Sequence, residues 1–451
     1  MTDPGARRDS IFRVIVPQPL GKSILIISGL RIFPATMGCH VRTGGIARAL
    51  ARMGHRVTIF SLAGRRDDYG LSSVWRPSSI SVRIEPNLVE EIHLGALTGL
   101  LQTIGRRLDY PRVWQYALLE RGIIPQRLRD LLCESDVVIG DMPWCPPIPG
   151  PWSGKPWFLI SHNLDHRLLE QSSGHHRRAA SWMRAVEARA PGRYRDIFAC
   201  TEEDRDFFRQ NDSSRKLLLP IVRCGVDPAA YSVAAGTRER VRSELGLVEE
   251  DQLLVFSASR YPPNDDAALE LRRFCAEEAS FLASRRVHVL VLGSVLAAPV
   301  REGAFMATGR VPEVASYLAA ADAGLNAVTW GSGSNVKLFE YLAARLPVIS
   351  TEFGARGTGL EPGPDYVPYD SPRLRPAIER FLDGGTRDHW RAHAERVWAR
   401  HRHSCDIQLL VSAAVARLPE FQPDPDALPP HTTNQAQASL RRQPAPELQS
   451  R

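Results

Sequence analysis

Residues 331–340 put a small-residue turn, a lysine and a glutamate within ten positions. Gly331-Ser332-Gly333-Ser334-Asn335 is followed by Lys337 and Glu340. Glycine and serine let backbone N–H groups approach an anion, and the amino end of a helix adds a favourable dipole. Lys337 and Glu340 stand three apart, so they share one helical face. A cation beside such a turn neutralises a diphosphate, and a carboxylate one turn on accepts hydrogen bonds from ribose hydroxyls. The same residues also fit a Gly/Ser turn followed by an exposed Lys–Glu pair, and the segment alone leaves both readings open. No metal is expected. No DxD-like pair closes a strand, His175-His176 are adjacent rather than at ligand spacing, and Asp265-Asp266 reads as a helix start.

Such a turn needs a strand to deliver it and a helix to follow it. AGLNAV (323–328) is the strand and the stretch from Asn335 to Ala344 the helix. Around them, short β-branched runs alternate with longer helical stretches, the pattern of a parallel sheet wrapped by helices. SILIISG (23–29), a helix from Val41 to Met53 closed by Gly54, and RVTIFSL form a first βαβ unit. DVVIGD (136–141), PWFLISH (156–162) and DIFACT (196–201) continue that series, with Thr201 as an N-cap before Glu202, Glu203 and Asp204. A second series opens with KLLLPIV (216–222) and continues through LLVFSAS (253–259), VHVLVLG (287–293), AGLNAV and PVIST (347–351). The fold class is therefore α/β, with two Rossmann-like doubly wound domains. Because such sheets bind ligands at the carboxyl ends of their strands, the site is expected in a cleft between them. The expected divisions are an N-terminal extension (1–22), a first Rossmann-like domain (23–215), a second (216–385), a helical segment (386–418) and a Pro- and Gln-rich disordered tail (419–451).

The 323–351 segment resembles the donor-binding signature of retaining glycosyltransferases of family 4 and their relatives, the group 1 glycosyltransferases, which have the GT-B fold. Other segments agree in order: FPATMGCHVRTGGIARALARMGHRVTIF (33–60), ISHN (160–163), DIFACTEEDRDFF (196–208), CGVD (224–227) and SASRYPPNDDAALE (257–270). The likeness spans roughly residues 23–385. It implies that Arg260 and Lys337 contact the donor diphosphate, that Glu340 binds the ribose and that backbone around Arg310 and Val311 holds the base. It further implies that Gly38 leaves room near the donor phosphate or acceptor and that His162 reaches the transferred sugar from the opposite domain. His162 also fits a hydrogen-bonded strand-end histidine, and Gly38 a simple turn. Arg42 reads either as a solvated helix arginine or as a group aimed at an anionic acceptor. Two departures stand out. Ser332 occupies the place of the family's first glutamate, eight residues before Glu340, and Pro262-Pro263-Asn264 replaces the usual Lys-Gly after Arg260.

The resemblance implies transfer of a sugar from a nucleoside diphosphate sugar to an acceptor hydroxyl, with retention, without metal or other cofactor. The alternatives are a GT-B nucleotide-sugar epimerase or hydrolase, and a non-catalytic nucleotide-sugar-binding protein. The 451-residue chain has no run of eighteen apolar residues and no leader pattern, and its seven cysteines lack CxxC spacing. A cytoplasmic protein with reduced thiols is expected. Its net charge of +7 is uneven, at +10 over residues 1–200 and −3 over the rest. That excess suits an anionic partner such as the inner membrane face, or solvated arginines. No zinc-finger, RRM or helix-turn-helix pattern accompanies it, so nucleic acid is not expected. The acceptor, lipid-linked or small, is not legible: residues 64–135, with Trp75, Tyr110 and Trp114, match no known pattern.

Overall fold

The computed structural model describes residues 21–35, 37–62, 79–93, 112–171 and 177–422. Trp75, Tyr110, His175, His176, the side chain of Trp114 and residues 423–451 lie outside them. The first sheet contains β1 (Ser23–Ser28), β2 (Arg56–Ser61), β3 (Ser79–Glu85), β4 (Leu88–His93), β5 (Val137–Asp141), β6 (Trp157–Ile160) and β7 (Asp196–Phe198), in the order β3-β4-β2-β1-β5-β6-β7. The second contains β8 (Gln252–Ser257), β9 (Val287–Leu292), β10 (Val300–Glu302), β11 (Phe305–Gly309), β12 (Ala323–Asn326), β13 (Val348–Thr351) and β14 (Val367–Tyr369), in the order β10-β11-β9-β8-β12-β13-β14. Each sheet is parallel except for one antiparallel edge strand, β3 or β10. The strand order reverses between β1 and β5 and between β8 and β12. Two doubly wound Rossmann-like domains follow, as expected.

The unbroken apolar runs are explained by burial on both faces. In β1, Ile24 and Ile26 enter one core while Leu25 and Ile27 enter the other. In β8, Leu253 and Val255 face one side, and Leu254 and Phe256 the opposite side. The β3–β4 hairpin escaped the sequence pattern because β4 reads LVEEIH, with two buried acids. Glu90 accepts from the Ile32 and Phe33 amides at 2.7 and 3.0 Å and from Ser61 Oγ at 2.6 Å. Glu91 takes the Arg127 guanidinium at 2.7 Å.

Residues 216–222 do not open the second sheet. Ile221 bridges Ala199 beside β7, so this run extends the edge of the first sheet. The chain crosses after it, and crosses back near residue 406. There the Val226 amide donates to the Cys405 carbonyl at 2.8 Å, and the Ile407 amide to the Val226 carbonyl at 3.1 Å. A Cβ on Gly225 would lie 2.8 Å from the Cys405 oxygen, which is why glycine stands there. The helix Arg387–Cys405 places Val397 and Trp398 in the core of the second domain. The helix Ile407–Val415 instead packs Ile407, Leu410 and Val411 on the first. The packed chain also continues beyond the expected end at 418. Pro419–Phe421 is a 3-10 turn, and Phe421 is buried against Phe158, with ring centroids 4.9 Å apart.

Candidate functional site

On the C-terminal side, β12 ends in a turn whose Gly331 and Gly333 have φ of 128° and 71°, a region that disfavours side chains. The helix Val336–Ala343 follows. Asn335 does not cap it through its side chain but donates Nδ2 to the Gly354 carbonyl at 2.8 Å, tying the turn to the loop after β13. Tyr341 fixes the helix over the point of strand reversal. Its hydroxyl donates to the Leu325 carbonyl in β12 at 3.1 Å and accepts from the Ser257 amide in β8 at 2.8 Å.

Lys337 and Glu340 are 5% and 8% exposed, so the exposed-pair reading does not hold. Lys337 Nζ lies 4.4 Å from the centroid of the Phe256 ring and donates to Asn264 Oδ1 at 2.8 Å. Burial lowers its ammonium to about 7, against the opposing pull of Glu340. Burial also raises the Glu340 carboxyl, although the Tyr231 hydroxyl donates to it at 3.1 Å and Lys337 lies nearby. A buried cation and carboxylate on one face, at the head of a helix, form a polar grip in a low-dielectric setting.

Asn264 is the residue that sequence reasoning passed over. It stands in the Pro262-Pro263-Asn264 departure, is buried, and bridges Lys337 to the Ser259 carbonyl through Nδ2 at 2.9 Å. An asparagine after two prolines carries no recognisable signal by itself. Arg260 follows β8 but is exposed. Its amide meets Ser294 Oγ at 3.3 Å and its guanidinium the Val295 carbonyl at 3.3 Å. No hydrogen bond among the described residues joins it to Lys337 or Glu340. Arg310, just past β11, is exposed, and Val311 packs half-buried on the core. Asp265 and Asp266 lie in the first turns of the helix Pro262–Glu277, where Asp266 accepts from the Trp330 indole at 2.9 Å.

The N-terminal domain closes on this turn. Asn163 Nδ2 donates to Ser332 Oγ at 2.7 Å, the Gly331 amide donates to Gln171 Oε1 at 3.0 Å, and Ser334 Oγ lies 3.5 Å from Cys200 Sγ. Cys200 is itself 3.5 Å from Cys224 Sγ, and none of the seven cysteines is in a disulfide. Gly38 opens the helix Gly38–Arg52, and a Cβ there would lie 3.3 Å from Val336 Cγ1. The amino ends of the two helices therefore meet across the cleft. His162 is 8% exposed, with Nε2 2.8 Å from Asp141 Oδ1 and 3.1 Å from Thr43 Oγ1.

Arg42 corrects both of its expectations. It is fully buried and donates to the carbonyls of Val222 at 2.8 Å, Ser161 at 2.7 Å and Phe198 at 3.0 Å. It staples the first helix to the ends of β6 and β7 and to the crossover, and faces neither solvent nor an acceptor. An open pocket of about 440 Å³ lies beside the crossover, lined by Glu202, Arg223, Glu352 and Arg356, but it does not include Lys337, Glu340 or His162. Among the described residues no group of three His, Cys, Asp or Glu side chains is arranged to hold a metal ion, and no helix is long and apolar enough to cross a membrane.

Residues 252–383, which carry Arg260, Lys337 and Glu340, match the family model described as glycosyl transferases group 1. That segment is similar to a group 1 glycosyltransferase domain. Solved structures extend the likeness of fold to both domains. Sucrose-phosphate synthase from Thermosynechococcus elongatus superposes with a TM-score of 0.61 at 13% identity, covering 88% of this chain and 98% of that one. Anabaena HepE in complex with UDP-glucose gives 0.56 at 13% identity, covering 88% and 100%. WaaG, a glycosyltransferase involved in lipopolysaccharide biosynthesis, gives 0.56 at 18% identity, covering 87% and 99%. No curated protein matches the chain. The matched domain and the domain facing it thus make up a GT-B fold, with the cleft at the strand reversals of both sheets.

Proposed function

We propose that the protein transfers a glycosyl group from a nucleoside diphosphate sugar to an acceptor hydroxyl with retention, as a family 4-like enzyme. The observation that carries this reading is the buried Lys337–Glu340 pair at the head of the helix following the Gly331–Ser334 turn. In the proposed reaction the bond from the anomeric carbon to the diphosphate breaks, and the acceptor oxygen attacks the same face. The departing phosphate takes the hydroxyl proton. Lys337 and the backbone of the turn meet the charge that develops on the leaving diphosphate, with Arg260 reaching it from the adjacent loop. Glu340 holds the ribose, Arg310 and Val311 flank the base, and Gly38 lets the N-terminal helix come close. His162 contacts the sugar. These groups supply the positive charge without a metal ion. Uridine diphosphate sugars are the first donors to test, because HepE is described with UDP and with UDP-glucose. Closure over the donor excludes water, which would otherwise hydrolyse it.

The experiment is a thermal-unfolding screen with UDP-, GDP-, ADP- and TDP-sugars and the free nucleotides. At least one donor and its nucleoside diphosphate should raise Tm. If none does at millimolar concentration, donor binding is refuted.

A further inference from the structure

Asp141 closes β5 where the strand order of the first sheet reverses, and its carboxylate is 1% exposed. Three donors converge on it. Ser28 Oγ lies 2.7 Å from Oδ2, and Thr43 Oγ1 and His162 Nε2 each lie 2.8 Å from Oδ1. The contacts around Asp141 fix which ring nitrogen of His162 must carry a proton. Ser28 Oγ already accepts from the Leu30 amide at 3.0 Å, so its own proton goes to Asp141. Burial opposes ionisation of Asp141, but the hydrogen bonds from His162, Ser28 and Thr43 outweigh it and hold the carboxyl below its usual range. An ionised carboxylate only accepts, so Nε2 of His162 must carry a proton. In the neutral ring the lone pair then sits on Nδ1. That atom is buried and has no hydrogen-bond partner among the described residues. A buried acceptor in this state calls for an O–H or N–H donor beyond the described residues, and the cleft is where a ligand can supply it.

The place of His162 narrows what that donor is. Its carbonyl oxygen would be 2.9 Å from a Cβ on Gly333, and the next residue, Asn163, bonds Ser332. The backbone of His162 therefore abuts the turn assigned above to the diphosphate, beside which the attached sugar would lie. We propose that Asp141 is a positioning residue for the transfer reaction: it locks His162 in the tautomer whose Nδ1 accepts a hydroxyl of the donor sugar. This rests on the donor reading above. The other groups near His162 include Thr43 and His40 from the first helix and Cys200 after β7, while the Arg42 guanidinium bonds the neighbouring Ser161 carbonyl. Among the described residues, Asp141 is the one charged group bonded to the ring.

Two measurements on the full-length chain test this. Long-range ¹⁵N–¹H correlation spectra of the histidine rings report the tautomer directly. Wild-type His162 should be protonated at Nε2, whereas Asp141→Asn, whose amide can donate to Nε2, should move the proton to Nδ1. A wild-type ring protonated at Nδ1 overturns the proposal. The second measurement is the ratio of the Kd for UDP to that for UDP-glucose, or for the pair that the donor screen identifies. Asp141→Asn and His162→Gln should each lower this ratio about tenfold while leaving the Kd of the free nucleotide within about twofold. The double variant should be no worse than either single one, because Asp141 acts through His162. An unchanged ratio in either variant, or losses that multiply in the double variant, overturns the proposal. His162→Gln retains an amide donor toward Asp141, so it carries the test if Asp141→Asn does not fold. The two readings fail separately. Absence of any nucleotide binding removes the donor assignment, while the tautomer spectrum still judges the Asp141–His162 lock.

Discussion

Lys337 sits in a setting where its charge is only partly stable. Burial over Phe256 lowers its ammonium to about 7, so near neutral pH a fraction of the protein holds it uncharged. A diphosphate needs the charged form, so its binding should draw in a proton. Between pH 7 and 9, above the titration of the diphosphate itself, UDP affinity should fall as pH rises. Calorimetry in buffers of different ionisation heat should show proton uptake. Lys337→Ala should weaken binding by roughly 1.5–3 kcal/mol, the range for a hydrogen bond to a charged group, and abolish the pH dependence. Binding that is insensitive to pH and to the substitution would separate Lys337 from the phosphates. His40 titrates in the opposite circumstance. Burial lowers it to about 4, so between pH 6.5 and 4 the unfolded chain binds a proton that the folded chain refuses. Stability is therefore intact above about 6.5 and drains as pH falls. Urea unfolding should lose up to roughly 2 kcal/mol between pH 7 and 5, and His40→Gln should flatten that slope.

At the scale of elements, the helix Ile407–Val415 and the turn after it belong energetically to the first domain although the chain reaches them last. Phe421 is 2% exposed and touches Phe158, Phe198 and the edge of His55. Phe421→Ala should cost about 3–5 kcal/mol, read as a lowered urea midpoint, because the aromatic cluster loses its lid. A loss under about 1 kcal/mol would mean that this turn is not part of the cooperative core. The N-cap at Thr201 was legible in the order Thr-Glu-Glu-Asp because capping is local, and the structure adds the hydrogen bond that Asp204 returns. The β3–β4 hairpin was not. Its buried glutamates resemble surface residues until the amides and the arginine that satisfy them are seen.

For the whole molecule, the crossings near residues 222–226 and 405–407 lie side by side and are hydrogen-bonded to each other. Any change in cleft width must turn about this paired link, while the contacts of Ser332 and Gly331 with Asn163 and Gln171 hold the opposite lip. The excess of +10 over residues 1–200 belongs to the N-terminal half, the one proposed to receive the acceptor. A lipid-linked acceptor would use that charge. The full chain should then sediment with anionic vesicles at low salt and be released at about 0.5 M, as the Debye length shrinks. No sedimentation at either ionic strength would leave the arginines as ordinary solvated groups.

Sequence alone determined what is set by local order. Apolar runs of strand length, glycines at helix ends and a small-residue turn before a Lys–Glu helix were enough to infer two doubly wound domains and a cleft between them. Tertiary structure decided whatever depends on partners far along the chain. Arg42 became a buried staple because the carbonyls of residues 161, 198 and 222 converge on it. Asn264 became the hand on Lys337, and Asp141 the hand on His162, across 73 and 21 residues respectively. A polar side chain reads alike in sequence whether water or a distant residue satisfies it. Only the packing of one element against another reveals which.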